Sequence, residues 1–179
     1  MMKVQLDSKS FDFTMAALDR LGRDAERAVK DAVNRTAKAI ESDAKKKLKS
    51  DRHIITGRLF SSIHAEIKPN SSFSYTDKNG GTFDGSLNTN FGKLEAIAGT
   101  NVVYAPHIEY GTGPHVIVPK EKKVLVFKIG GVTIFTKRVN HPGTKGSSFM
   151  RFAAEKQKPE FEKRMTEELN KVINAGPKK

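Results

Sequence analysis

Three observations predict an α+β fold for this 179-residue chain. A long stretch near the N-terminal end carries apolar residues at steps of three and four. Short segments in the middle alternate as strands between glycine- and proline-rich turns. A second helical pattern closes the chain. The expected architecture is a long N-terminal amphipathic helix packed on a small, mostly antiparallel β-sheet, with a β-hairpin and a C-terminal helix. The length suits one domain with a real core, placed at residues 1–158, followed by a C-terminal helix and basic tail at 159–179.

From Phe13 to about Lys49, one stripe holds Leu18, Leu21, Ala25, Ala28, Val29, Ala32, Val33, Thr36, Ile40, Ala44 and Leu48, while Arg20, Arg23, Arg27, Lys30, Arg35 and Lys38 face away. Such a stripe has to cover another element, and its small residues allow close approach. Lys45, Lys46, Lys47 and Lys49 lie near the helix C-terminus, where the macrodipole favours positive charge; contact with nucleic acid is the sharper reading of the same run. Asp51 to Gly57 breaks the helix, and Thr56 is placed to cap a short second one with Leu59 turned inward. Ser62 to Lys68 then alternates as a strand, with Ile63, Ala65 and Ile67 on one face and His64 and Glu66 on the other.

Residues 69–92 are rich in Ser, Asn, Gly, Thr and Asp, and read as a mobile loop or a hairpin turning near Asn79-Gly80-Gly81. Phe73, Tyr75, Phe83 and Phe91 within it are either contact points for a partner or anchors folded back on the core. Lys93 to Gly99 is a second strand, antiparallel to the first. Val116–Val118, Val124–Ile129 and Val132–Val139 supply more strand, the last two as a hairpin around Gly130-Gly131, where glycine supplies a positive φ. A sharp turn at His141-Pro142-Gly143-Thr144 leads to a final helix from Phe149, with Ser147 or Ser148 as its cap and Pro159 kinking or restarting it.

The charge is strongly one-sided, 32 basic against 20 acidic side chains and a net +12. This draws a chain toward phosphate or acidic protein surfaces, unless lysine-rich solvated helix faces simply carry the excess. Cysteine is absent, which excludes disulfide frameworks and thiolate metal sites. Residues 1–10 lack the apolar core of a secretory signal, and no apolar run approaches the roughly 20 residues that span a bilayer. A soluble protein made in the cytoplasm, with no membrane contact, is expected.

Four constellations bear on chemistry. His107, Glu109, His115 and His141 are the metal-ligand types in the middle of the chain, but their spacing matches no zinc template, and hydrogen bonds within turns account for them. No Gly-x-Ser-x-Gly elbow accompanies the scattered serines and histidines. Gly111-Thr112-Gly113 and Gly130-Gly131 do not form a phosphate loop, since neither joins a strand to a helix N-terminus. The basic helix and tail can touch nucleic-acid phosphate without reading sequence. The expectation is therefore no enzyme, no catalytic residues, no metal and no cofactor.

Three segments in order are distinctive: Thr56-Gly57-Arg58-Leu59-Phe60-Ser61-Ser62-Ile63, then Gly99-Thr100-Asn101-Val102-Val103-Tyr104-Ala105-Pro106-His107-Ile108-Glu109-Tyr110-Gly111-Thr112-Gly113, then His141-Pro142-Gly143-Thr144-Lys145 running on to Phe149 and Ala153. Preceded by a long amphipathic helix, the set resembles the minor tail component family of siphophages and their prophages, which includes neck and tail-completion proteins. The resemblance covers most of Ala25 to Ala154. The chain departs from the family pattern at Phe60, where a basic residue is common, and at Ser148, where proline is common.

The resemblance implies a structural virion protein acting in head–tail joining or tail completion at the neck. It implies a homo-oligomeric ring, phage connector and tail proteins as partners, and residence in the host bacterial cytoplasm before incorporation into the virion, while the basic charge allows non-specific DNA contact. The alternative is a basic nucleic-acid-binding accessory protein encoded in a prophage. Scaffold roles fall to Thr56, Gly57, Leu59, Tyr104, Glu109, Gly111, His141, Pro142, Gly143 and Phe149. Tyr104 is expected to bury its ring, and Glu109 to accept backbone amides or pair with Arg58 or Arg151. Candidate interface residues are Phe73, Tyr75, Phe83, Gly130 and Gly131.

Overall fold

The computed structural model describes residues 2–6, 22–53, 56–69, 71–87 and 91–175. The portion of the expected first helix before Gly22 lies outside the described residues.

The long helix α1 spans Arg23–Ser50. Its stripe is buried along its whole length: Ala25, Val29, Ala32, Val33 and Ala37 in one half, Ile40, Ala44 and Leu48 in the other. Arg27, Lys30, Arg35 and Lys38 are exposed on the far side, so the 3.6-residue periodicity specified the buried face correctly. The lysine run pairs with acids within reach on the same helix and at its end: Lys45 with Glu41 (2.5 Å), Lys46 with Asp43 (3.8 Å) and Lys47 with Asp51 (2.8 Å).

A short helix α2, Arg58–Ser62, follows Gly57, whose φ of 82° glycine tolerates. Thr56 contributes less than a full cap: its hydroxyl accepts the Arg58 amide at 3.2 Å. The central sheet has order β1-β5-β2. It comprises β1 (Met2–Leu6), β2 (His64–Glu66) and β5 (Ala96–Thr100), with β5 antiparallel to both neighbours. The β2–β5 pairing matches the expectation from sequence; β1 was not anticipated.

One face of this sheet packs on the helices. Ala65, Ala96 and Ala98 meet the α1 stripe together with Phe149, Met150, Ala153, Phe161 and Met165 of the last helix. The other face, which carries His64 and Glu66 of β2, is covered as well. Glu66 is buried, with its carboxylate accepting the Leu87 amide at 2.7 Å, and Ile97 packs with Leu87, Phe91 and half-buried Phe73. The chain of residues 71–87 and 91–95 therefore forms a cover, and the sheet lies between it and the two helices. Within the cover, β3 (Phe73–Thr76) pairs with β4 (Thr82–Gly85). The turn is closed by the Asp77 carboxylate, which accepts the amides of Asn79 and Gly81, both at 2.9 Å.

The last helix, α4, spans Phe149–Ala175 and runs unbroken through Pro159. Phe161 and Met165 lie against α1, so the helix after Pro159 contributes to the same core; the basic tail beyond Ala175 lies outside the described residues. A buried polar chain staples the two helices. The Asp43 carboxylate accepts from Lys156 (3.0 Å) and from the Gln157 amide (2.5 Å), and Arg164 donates to both Gln157 (2.9 Å) and the Thr36 hydroxyl (3.2 Å). Burial pushes the Asp43 carboxyl up, but the hydrogen bonds from Lys156 and Gln157 and the neighbouring lysine charges outweigh it, and its pKa falls below the usual value.

Candidate functional site

The second and third of the distinctive segments, about 30 positions apart in sequence, meet in one junction. Helix α3 (Ala105–Tyr110) runs into β6 (Gly111–Thr112), and β6 pairs antiparallel with β11 (Thr144–Lys145) just before α4 begins. The backbones are in direct contact here. A Cβ added at Gly111 would run into the Thr144 carbonyl, one at Gly143 into the Thr112 carbonyl, and one at Gly146 into the Glu109 carbonyl. Gly111 and Gly143 also have φ of 80° and 91°, so both conformation and space call for glycine there. Thr112 and Thr144 face each other with hydroxyls 3.1 Å apart.

Glu109 is 2% exposed and turns toward α4. Its two carboxylate oxygens accept the amides of Met150 (2.9 Å) and Arg151 (3.0 Å), two of the donors that a helix N-terminus leaves without an internal partner. The cap expected from Ser147 or Ser148 is therefore supplied by Glu109. Ser147 instead donates its hydroxyl to the Asp51 carboxylate (2.6 Å), which also takes Lys47, and Ser148 adopts φ 51° with its amide on the Glu109 carbonyl (2.9 Å). The hydrogen bonds from Lys47 and Ser147 hold the Asp51 carboxyl below its usual pKa. Neither Arg58 nor Arg151 forms a salt bridge with Glu109; Arg58 lies over the Phe83 ring at 4.1 Å.

The first segment, with Gly99-Thr100-Asn101, secures the other side of the core. Ser62 and Thr100 share a buried hydrogen bond of 2.6 Å, and Thr100 also accepts the Val102 amide at 3.2 Å. Leu59 is buried, and the Thr56 carbonyl takes the Lys78 amide at 2.8 Å, tying the β3–β4 turn to α2. A cleft of about 480 Å³ opens beside this segment, lined among others by Thr56, Arg58, Phe60, Tyr104 and Ile108. Tyr104 does not bury its ring: it is 41% exposed at the rim, next to Val103 at 87%. Of the candidate interface aromatics, Tyr75 is buried, and the half-buried Phe73 and Phe83 rings flank it at 6.0 and 5.6 Å. Within this chain the three act as one anchoring row.

The metal-ligand types are dispersed. Glu109 faces α4, His107 is exposed on α3, and only His115 and His141 approach each other, with ring centres 4.9 Å apart. Among the described residues no group of three or more His, Cys, Asp or Glu could hold a metal ion, and no helix is long and apolar enough to cross a membrane.

Beyond the junction the chain forms a two-stranded arm of nested antiparallel pairs. After β6–β11 come β7 (His115–Ile117) with β10 (Val139–His141), then β8 (Leu125–Ile129) with β9 (Val132–Thr136), closed by Gly130 and Gly131 at φ 57° and 85°. No residue between Tyr110 and Ser147 is buried, although Val126, Ile129, Val132 and Phe135 are among them.

Comparison with curated proteins and with solved structures found no match. Residues 12–111 match the family described as "Bacteriophage HK97-gp10, putative tail-component". The match takes in α1, the sheet strands β2 and β5, the cover and α3, and stops at the foot of the arm. It spans more than half of the 179 residues, and the chain belongs to the HK97-gp10-like family of bacteriophage tail components.

Proposed function

We propose that this tail component acts in head–tail joining or tail completion at the neck, as a subunit of a ring, by contact alone and without a catalytic step. The observation that carries the proposal is unmet apolar surface at two separate places on one chain: Val103 and Tyr104 at the rim of the cleft, and Val126, Ile129, Val132 and Phe135 on the arm. Apolar surface of this kind marks protein contacts. Two separate patches let one subunit meet more than one neighbour, as a ring subunit that also joins other proteins must. The protein would be made in the host cytoplasm and end in the virion, next to connector and tail proteins.

Removing the gene from the parent phage or prophage and supplying it in trans provides the test. Electron microscopy of the deletion lysate is expected to show heads and tails apart, with attachment restored by the wild-type gene. Infectious tailed particles in the deletion would defeat the proposal.

The net charge of +12 favours one second reading, a nucleic-acid-binding accessory protein. Filter binding across salt discriminates the two: affinity for duplex DNA that falls steeply with salt is the mark of phosphate contacts.

A further inference from the structure

The arm has a chemistry of its own. In the β8–β9 ladder, Leu125, Phe127 and Ile129 stand on the same face as Ile134 and Val132. At the tip of that face Ile129 and Val132 are 61% and 66% exposed. A lone two-stranded ribbon is marginal in water, and an exposed apolar face on it is surface that a partner can cover. Around this face the arm is basic. Residues 112–146 hold six lysines and Arg138 against the single acid Glu121. All seven cations are exposed, and none forms a salt bridge with an acid among the described residues.

We propose that the arm is the docking element for a different structural protein of the particle, one offering an apolar strip flanked by carboxylates. Charge complementarity selects this occupant. A second copy is disfavoured because the rest of the chain is itself net basic, and it would meet the seven cations with like charge. Nucleic acid would satisfy the cations but leave the Leu, Phe, Ile and Val face in water. Among the described residues the chain's own body does not bury the arm, since nothing between Tyr110 and Ser147 is buried. The family match ends at Gly111, so membership assigns the arm no role. The inference rests on the proposed role in the virion and adds which element meets the unlike partner.

Photo-cross-linking during particle assembly tests it. Benzoylphenylalanine is placed at Ile129 of the full chain, cells producing particles are irradiated, and the linked peptides are sequenced. The expected product joins residue 129 to an acidic structural protein of the same particle. Its yield should fall at least about tenfold in a K122E/K123E/K128E variant that retains the wild-type melting temperature, a tenfold change being 1.4 kcal/mol. A product joining two copies of this chain, a product with DNA, or no product from particles that contain the protein would overturn the inference while leaving the virion role intact. Purified particles that lack the protein on immunoblot would instead remove the role on which it rests.

Discussion

Glu109 shows how far a single side chain reaches in this fold: it caps a helix that begins some 40 positions later in the chain. Hydrogen bonds to a charged group contribute roughly 1.5–3 kcal/mol each, and the Glu109→Gln variant keeps the shape but turns one acceptor into a donor facing an amide. Its urea unfolding should show a loss of about 2–3 kcal/mol. A midpoint equal to wild type would mean the cap is dispensable. The glycines can be ranked in the same way. Gly130 at the arm apex has a positive φ but open space around it, so Gly130→Ala should cost about 1 kcal/mol for the left-handed conformation alone. Gly111→Ala and Gly143→Ala meet backbone as well, and should yield little or no folded protein by circular dichroism. Residue types at these positions were legible in the sequence, because glycine and proline punctuate turns. Their partners were not, since Gly111 is constrained by Thr144 and nothing local announces that meeting.

At the scale of elements, the helices and hairpins followed from periodicity and turn chemistry. The stripe of α1 and the Gly130-Gly131 turn were readable within a dozen residues. The strand β1 was not, because five residues whose partner is β5 carry too short a pattern. The burial of Glu66 was missed for a related reason: alternation says which face a side chain takes, not what covers that face. The α1–α4 contact contains the clearest pH dependence. Asp43 has its pKa lowered in the folded state by Lys156 and Gln157, against the opposing effect of burial. A lowered carboxyl binds fewer protons folded than unfolded. Its contribution is therefore complete above the unfolded value near pH 4 and is lost as pH falls through the lowered folded value. Glu168, lowered through Lys171 and Arg35, and Asp51 act in the same direction. Denaturation midpoints should accordingly drop below about pH 4, and Asp43→Asn should make that drop shallower. A D43N curve parallel to wild type through the acid range would show that Asp43 is not among the groups responsible.

For the whole molecule, the residues that build the core and the exposed apolar residues of the arm are separate sets. Ile129 and Val132 are exposed, so an Ile129→Ser/Val132→Ser double variant should unfold within about 0.5 kcal/mol of wild type, the range usual for surface changes. The same variant should fail to restore head–tail attachment in the deletion background. A large loss of monomer stability would mean that the arm folds back on its own body in solution. The sequence could indicate that an apolar, lysine-rich hairpin exists. It could not indicate that the body leaves it uncovered, because burial is settled by every other element at once.

The way the arm is rooted decides what happens when something pulls on it. Tension applied at the tip runs down two covalent strands side by side, so the rungs between them are not sheared. One strand delivers its half to the end of α3 and the other to the start of α4, and the Glu109 carboxylate clamps those two points together. Strain from a captured neighbour would thus enter α4 at its first turn, and through it the helix pair it forms with α1, as a rope's does through a cleat fixed to the hull.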